Sequence, residues 1–128
     1  MSYRSLDELE RQSLAAAIVV AEQLLAGREL QLVYDEVLAA KPVQSGQLVE
    51  MIGYMFGNSL VAESWLEWAM LIDPEYGDEI SVRVQDRELG CAPLSMIRNR
   101  LEDAEQCSLA ELRESTVHRL RQLAQHAA

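Results

Sequence analysis

Positive charge is scarce in the first two-thirds of this chain, and the partners it would attract are excluded with it. Residues 1–82 hold 14 Asp and Glu against 4 bases (Arg4, Arg11, Arg28 and Lys41), whereas residues 83–128 hold 7 of each. The whole net charge of −10 therefore sits in the first part. Nucleic-acid affinity comes largely from Lys and Arg displacing counterions from phosphates, and anionic membranes ask for the same cations. Neither nucleic acid nor a membrane is expected as a partner. Cysteine is nearly missing: Cys91 and Cys107 are too few for a disulfide framework and stand at no metal-ligand spacing. Free thiols in a reducing compartment fit that pattern. The two histidines, His118 and His126, lie two turns apart on an expected helix, too far for one ion, and structural zinc sites need close ligand pairs. No metal and no cofactor is expected. Long apolar runs are missing too. Leu14 to Ala21 is the longest, it follows Asp7, Glu8 and Glu10 rather than a basic segment, and it is far too short to span a bilayer. A cytoplasmic protein without a signal peptide is the expectation.

Nearly half of the 128 residues are apolar, enough for one domain with a core of its own. With a single Phe, that core must be built from Leu, Val, Ile, Met and Ala. The chain is organised around Met51–Arg100. Leu66, Trp68, Met70 and Ile72 alternate with Glu67, Ala69 and Leu71, and Ile80, Val82 and Val84 alternate with Ser81, Arg83 and Gln85. Two period-two runs around Asp73-Pro74-Glu75-Tyr76-Gly77-Asp78 predict an antiparallel hairpin at 66–85 with one apolar face. Leu89 to Cys91 can add a short third strand.

Helical spacing predicts α-helices at about 5–26, 29–40, 46–63, 93–103 and 108–126. Ser5-Leu-Asp-Glu8 and Ser108-Leu-Ala-Glu111 read as capping boxes, Gly27 as a helix-terminating residue, and Pro93 as the first residue of its helix. Leu6, Leu9, Ala16, Ala17, Val20 and Leu24 repeat along the first helix. Because Leu14–Ala21 is apolar nearly all round, that helix should be buried on more than one side, in the core before a subunit interface. LQLVY at 30–34 is also compatible with a strand. Pro42, Ser45 and Gly46 break the second helix. Gly53 and Gly57 lie one turn apart, and each costs about 1 kcal/mol in a helix, so a close crossing, against the first helix for instance, should justify them. The fold class is α+β: three N-terminal helices, a small antiparallel sheet on a β-hairpin, and two C-terminal helices in a single domain. Such a sheet leaves an exposed edge, which makes a homodimer conceivable.

Reactive constellations are few. There is no phosphate-cradling glycine loop and no G-x-S-x-G turn, so no catalytic residue is assigned and the balance is against an enzyme. Asp73, Glu75, Asp78 and Glu79 lack the ladder of a calcium loop and read as a solvated turn. Arg83, Arg87, Arg98 and Arg100 cluster in an otherwise acidic chain. They either pair with Glu88, Glu102 and Asp103 or form an anion- or partner-docking patch. Trp65 and Trp68 read as core or rim packing, and an exposed Trp beside those arginines would mark an interface. The candidate binding residues are thus Trp65, Arg83, Arg98 and Arg100.

The order of IGYMFGNSL, WLEWAMLID, DPEYGDEI and PLSMIRNRLED, with Pro93, Ser95, Met96, Ile97 and Arg100 as its most specific part, resembles a family of small bacterial domains catalogued as a domain of unknown function. The likeness covers Leu48–Leu120. It implies a compact α+β domain and brings no activity, cofactor or catalytic residue. The expected function is a non-catalytic protein-interaction or adaptor module whose partner is a second copy or a basic protein. The alternatives are an acidic antagonist or chaperone, of immunity or secretion type, binding a basic partner, and an enzyme or small-anion binder using a pocket between the Gly53/Gly57 helix and the hairpin.

Overall fold

A computed structural model describes residues 2–40 and 46–126. Its elements follow in the order β1 (Ser2–Arg4), α1 (Glu8–Leu25), α2 (Leu30–Ala39), α3 (Gln47–Leu60), β2 (Leu66–Ile72), β3 (Glu79–Val84), β4 (Gly90–Cys91), α4 (Pro93–Glu102) and α5 (Leu109–His126). The described residues are thus α+β, with five helices and one antiparallel sheet in the order β1-β2-β3-β4. The segment at 30–34 is helical. The break expected at Pro42 and Ser45 lies outside the described residues. None of the described helices is long and apolar enough to cross a membrane.

The hairpin forms where period-two alternation placed it, with Leu66 opposite Val84, Trp68 opposite Val82 and Met70 opposite Ile80. Its turn is held by Asp73, whose Oδ1 accepts from the Glu75 and Tyr76 amides at 2.9 and 3.2 Å. Gly77 follows at φ +89°, a conformation open to glycine. Two findings differ from the sequence expectation. A fourth strand, β1, pairs with β2 through Tyr3 opposite Leu71, and three residues are too short for any periodicity to announce. The second sheet face is also covered: Ala69 and Ser81, which face each other across the ladder, are fully buried, and so is most of Arg83.

Local chemistry sets the ends of α1 differently from the predicted box. Asp7, not Ser5, is the N-cap: its side chain accepts from the Glu10 amide at 2.8 Å while the Glu10 carboxylate accepts from the Asp7 amide at 2.9 Å. Both Ser5-x-x-Glu8 and Asp7-x-x-Glu10 fit the spacing rule. The second wins because Glu10 is also gripped by both Nη atoms of Arg4 at 2.7 Å. That pairing holds the Glu10 carboxyl down at about 2. At the other end Ala26 takes the left-handed conformation (φ 49°) just before Gly27. Of the second predicted box one half is seen among the described residues, the Ser108 hydroxyl accepting from the Glu111 amide at 3.3 Å.

The glycine pair does mark a close crossing, but its partner is α4 rather than α1. A Cβ on Gly53 would stand 2.8 Å from the Leu94 Cα, and one on Gly57 would fall on the Trp68 ring and 2.9 Å from Pro93 Cγ. Helices α3 and α4 and the Trp68 ring therefore interlock around two missing side chains. Trp68 leans on Tyr54 with ring centroids 6.4 Å apart. Its indole N–H is buried with no hydrogen-bond partner among the described residues. An unmade bond of that kind costs about 1–3 kcal/mol, which the packing of the ring must outweigh. Around this junction Ile52, Phe56, Leu60, Leu66, Val82, Ile97 and Leu101 form the core.

Candidate functional site

The four residues singled out from sequence go to different places. Arg83 lies under the sheet, 6% exposed, with its Nε 2.7 Å from Glu67 Oε2 and its Nη2 3.0 Å from the Ser5 hydroxyl. Those two groups satisfy it from inside the fold. Arg98, on α4, is bound to Ser95 Oγ at 2.9 Å and stands 3.8 Å from Glu79, which also accepts from the Ser95 hydroxyl. Arg100 donates to the Met96 carbonyl of its own helix at 3.1 Å. Its charge lies close enough to Tyr34 and Cys107 to oppose the upward pull of burial on both. Trp65 sits at the α3–β2 junction beneath the Arg121 guanidinium, 5.1 Å from the ring centroid. The pairing partners are thus Glu67 and Glu79 rather than Glu88, Glu102 and Asp103, and the arginines do not converge on one point.

The space expected between α3 and the hairpin is largely filled, since Leu94, Pro93 and Trp68 occupy the sides of Gly53 and Gly57. One hollow of 480 Å³ does lie there, lined by Asn58 of α3, Glu67 and Trp68 of β2 and Leu14 and Ile18 of α1, and a groove of 390 Å³ lined by Gly46, Gln47, Val49, Glu50, Leu94 and Arg98 runs beside α4. On the far side of Arg98 another hollow is walled by Asp73, Asp78 and Glu79. Carboxylates on that scale repel an anion, and Glu79 stands 3.8 Å from the guanidinium. A further hollow of 830 Å³ lies between α2 and the α4–α5 loop, beside Gln31, Asp35 and Cys107. Gln31 is a structural clamp there. Its Oε1 accepts from the Leu109 amide at 2.7 Å and its Nε2 donates to the Cys107 carbonyl at 2.8 Å. Tyr34 completes the tie by donating to the Glu105 carbonyl at 2.7 Å, and burial pushes its phenol up to about 12. No pair of groups poised for proton transfer results. Among the described residues no three His, Cys, Asp or Glu side chains gather to hold a metal ion.

The surface that stands out is on α1. Of the sequence repeat Leu6, Leu9, Ala16, Ala17, Val20 and Leu24, Leu6 is buried and Ala17 half-buried, while the other four turn outward, so the structure corrects the phase. The buried residues are Leu14, Ala21 and Leu25, an i, i+7, i+11 set as regular as the other. Rotating the helix onto that set turns the first stripe outward: Leu9 is 74% exposed, Leu24 58%, Val19 51% and Val20 40%. The helix is therefore buried on one side only, against the expectation of two. Two apolar stripes on one helix cannot both be buried by a single neighbour, and the near-absence of charge between Gln12 and Ala21 gave no cue to which would be left out. Exposed apolar side chains scattered singly are ordinary; here four large ones recur on the outer half of one helix, with Gln12, Ser13 and Ala16 between Leu9 and the group Val19, Val20 and Leu24.

The chain belongs to the family described as Domain of unknown function (DUF3806), whose model matches residues 28–112, about two-thirds of the chain. The match starts at 28 rather than 48 and stops at 112 rather than 120. It takes in α2, α3, β2 to β4, α4 and the first turn of α5, and it leaves out β1 and α1. No match was found to a curated protein or to a solved structure.

Proposed function

We propose that the chain is a cytoplasmic, non-catalytic protein-interaction module that docks its partner on the outer face of α1. One observation carries the reading. Four large apolar side chains line that face in water, in a chain that buries its other stripe on the same helix completely enough to fold. Removing such a patch from water is the main driving force of protein association. The acidic-antagonist reading asks for carboxylates across the docking face, and this helix carries them only at its edge, in Glu8 and Glu22. The anion-pocket reading asks for a free guanidinium, and Arg98 is held by Glu79 and Ser95.

The test is a photoreactive phenylalanine analogue placed at Val20 in cells, with one at exposed Asn99 on α4 as the control. Adducts from Val20, with proteins identified by mass spectrometry and missing from Asn99, are expected. Equal adducts from both positions, or none from Val20, would count against the reading.

A further inference from the structure

We infer that the partner on the outer face of α1 is a second copy of this chain, packed antiparallel about a two-fold axis near Ala16. The inference rests on the docking reading above and names its occupant.

Charge is the first argument. The chain carries a net −10, so two copies repel at most relative orientations. The outer half of α1 is where that repulsion is least: Gln12, Ser13 and Gln23 accompany the exposed Leu and Val residues, and the carboxylates stand only at the edge, Glu8 accepting from Gln12 at 3.2 Å and Glu22 one turn beyond Val19. The exposed charges of the helix, Glu8, Arg11 and Glu22, follow one another along a single flank at helical spacing. A basic partner would gain little from a face whose carboxylates stand only at its edge. An anionic membrane would find no cation there.

Symmetry is the second argument, and it is independent of the first. A two-fold interface must be self-complementary, residue i meeting j and j meeting i. Along the stripe Leu9 precedes Ala16 by seven positions and Leu24 follows it by eight. An antiparallel pair centred there sets Leu9 of each copy against Leu24 of the other. Val20 then meets the small Ser13, and the alanines at the axis let the two backbones approach. Antiparallel helices also set opposite ends of their dipoles side by side.

The test is sedimentation equilibrium of the full chain from micromolar to millimolar concentration, alongside Val20→Glu and Ser13→Lys. Ser13 is already polar and exposed, so its replacement puts a charge on the stripe without placing folding at stake. Circular dichroism and urea midpoints check that both variants are folded. A concentration-dependent dimer that either variant weakens about a hundredfold or more is expected, because each change appears twice in a two-fold interface and buries a charge without a partner. A wild-type chain that stays monomeric throughout overturns the second copy. The docking reading would then stand or fall on whether Val20 still photocrosslinks to another protein. A dimer indifferent to both variants overturns the placement of the interface on α1.

Discussion

Helix α3 and helix α1 are both rich in small and apolar residues, and they use them in opposite ways. In α3 the small residues Gly53 and Gly57 face inward and are filled from outside by Leu94, Pro93 and Trp68. In α1 small Ala16 lies on the outside among Leu9, Val20 and Leu24, and no described residue fills the space above it. The first arrangement is a completed internal joint, and it lies within the residues matched by the family. The second is half a joint in the reading proposed above, and it lies outside them. Apolar periodicity alone does not distinguish a surface that builds the fold from one that waits for a partner. What distinguishes them is whether the complementary surface is present in the same chain.

That contrast can be broken first at the completed joint. Trp68→Ala removes the ring seated on Gly57 and should cost about 3–5 kcal/mol of stability, read from urea midpoints. Gly53→Leu should follow at about 3 kcal/mol, because the added side chain meets the Leu94 backbone rather than a movable tip. A wild-type midpoint in either variant would mean that α3 and α4 are not interlocked.

A smaller loss is expected on the second sheet face. Glu67→Thr, which strand alternation alone would rate as a harmless surface change, strips buried Arg83 of its carboxylate. Glu67 is itself 34% exposed, so the cost should be about 1–2 kcal/mol rather than the several of a fully buried pair. Equal midpoints for Glu67→Thr and wild type would show that water replaces the pair without penalty.

A change of conditions rather than of residue concerns alkaline pH. Burial pushes the Tyr34 phenol and the Cys91 thiol up to about 12, from ordinary values of 10.0 and 9.0. Both folded-state values are raised, so the unfolded chain loses these protons first. The stabilisation is complete below about pH 9 and is lost as pH rises towards about 12. Urea midpoints should fall between pH 8 and pH 11, and Cys91→Ala should flatten the early part of that fall. A midpoint constant across this range would contradict the burial of both groups.

The hairpin was legible because alternation with Pro and Gly between the two runs is a local signal, and the glycine pair was legible because glycine is costly in a helix. The partner of that pair was not, since a missing side chain says only that something comes close. The three-residue β1 carries no period. Asp7 and Ser5 both satisfy the capping rule, and only Arg4 behind Glu10 decides between them. The scattered destinations of Arg83, Arg98 and Arg100 were illegible because nearness in sequence does not put β3 and α4 side chains on the same face. On α1 the sequence held two equivalent stripes, and the choice between them was made by packing on α3.

The most direct test of the account is hydrogen–deuterium exchange followed by mass spectrometry over a dilution series of the wild-type chain. Peptides from residues 8–25 should gain protection as concentration rises, while those from residues 47–60 should exchange at one slow rate throughout. Protection of α1 that does not change with concentration would contradict the claim that its outer face is covered by a second copy.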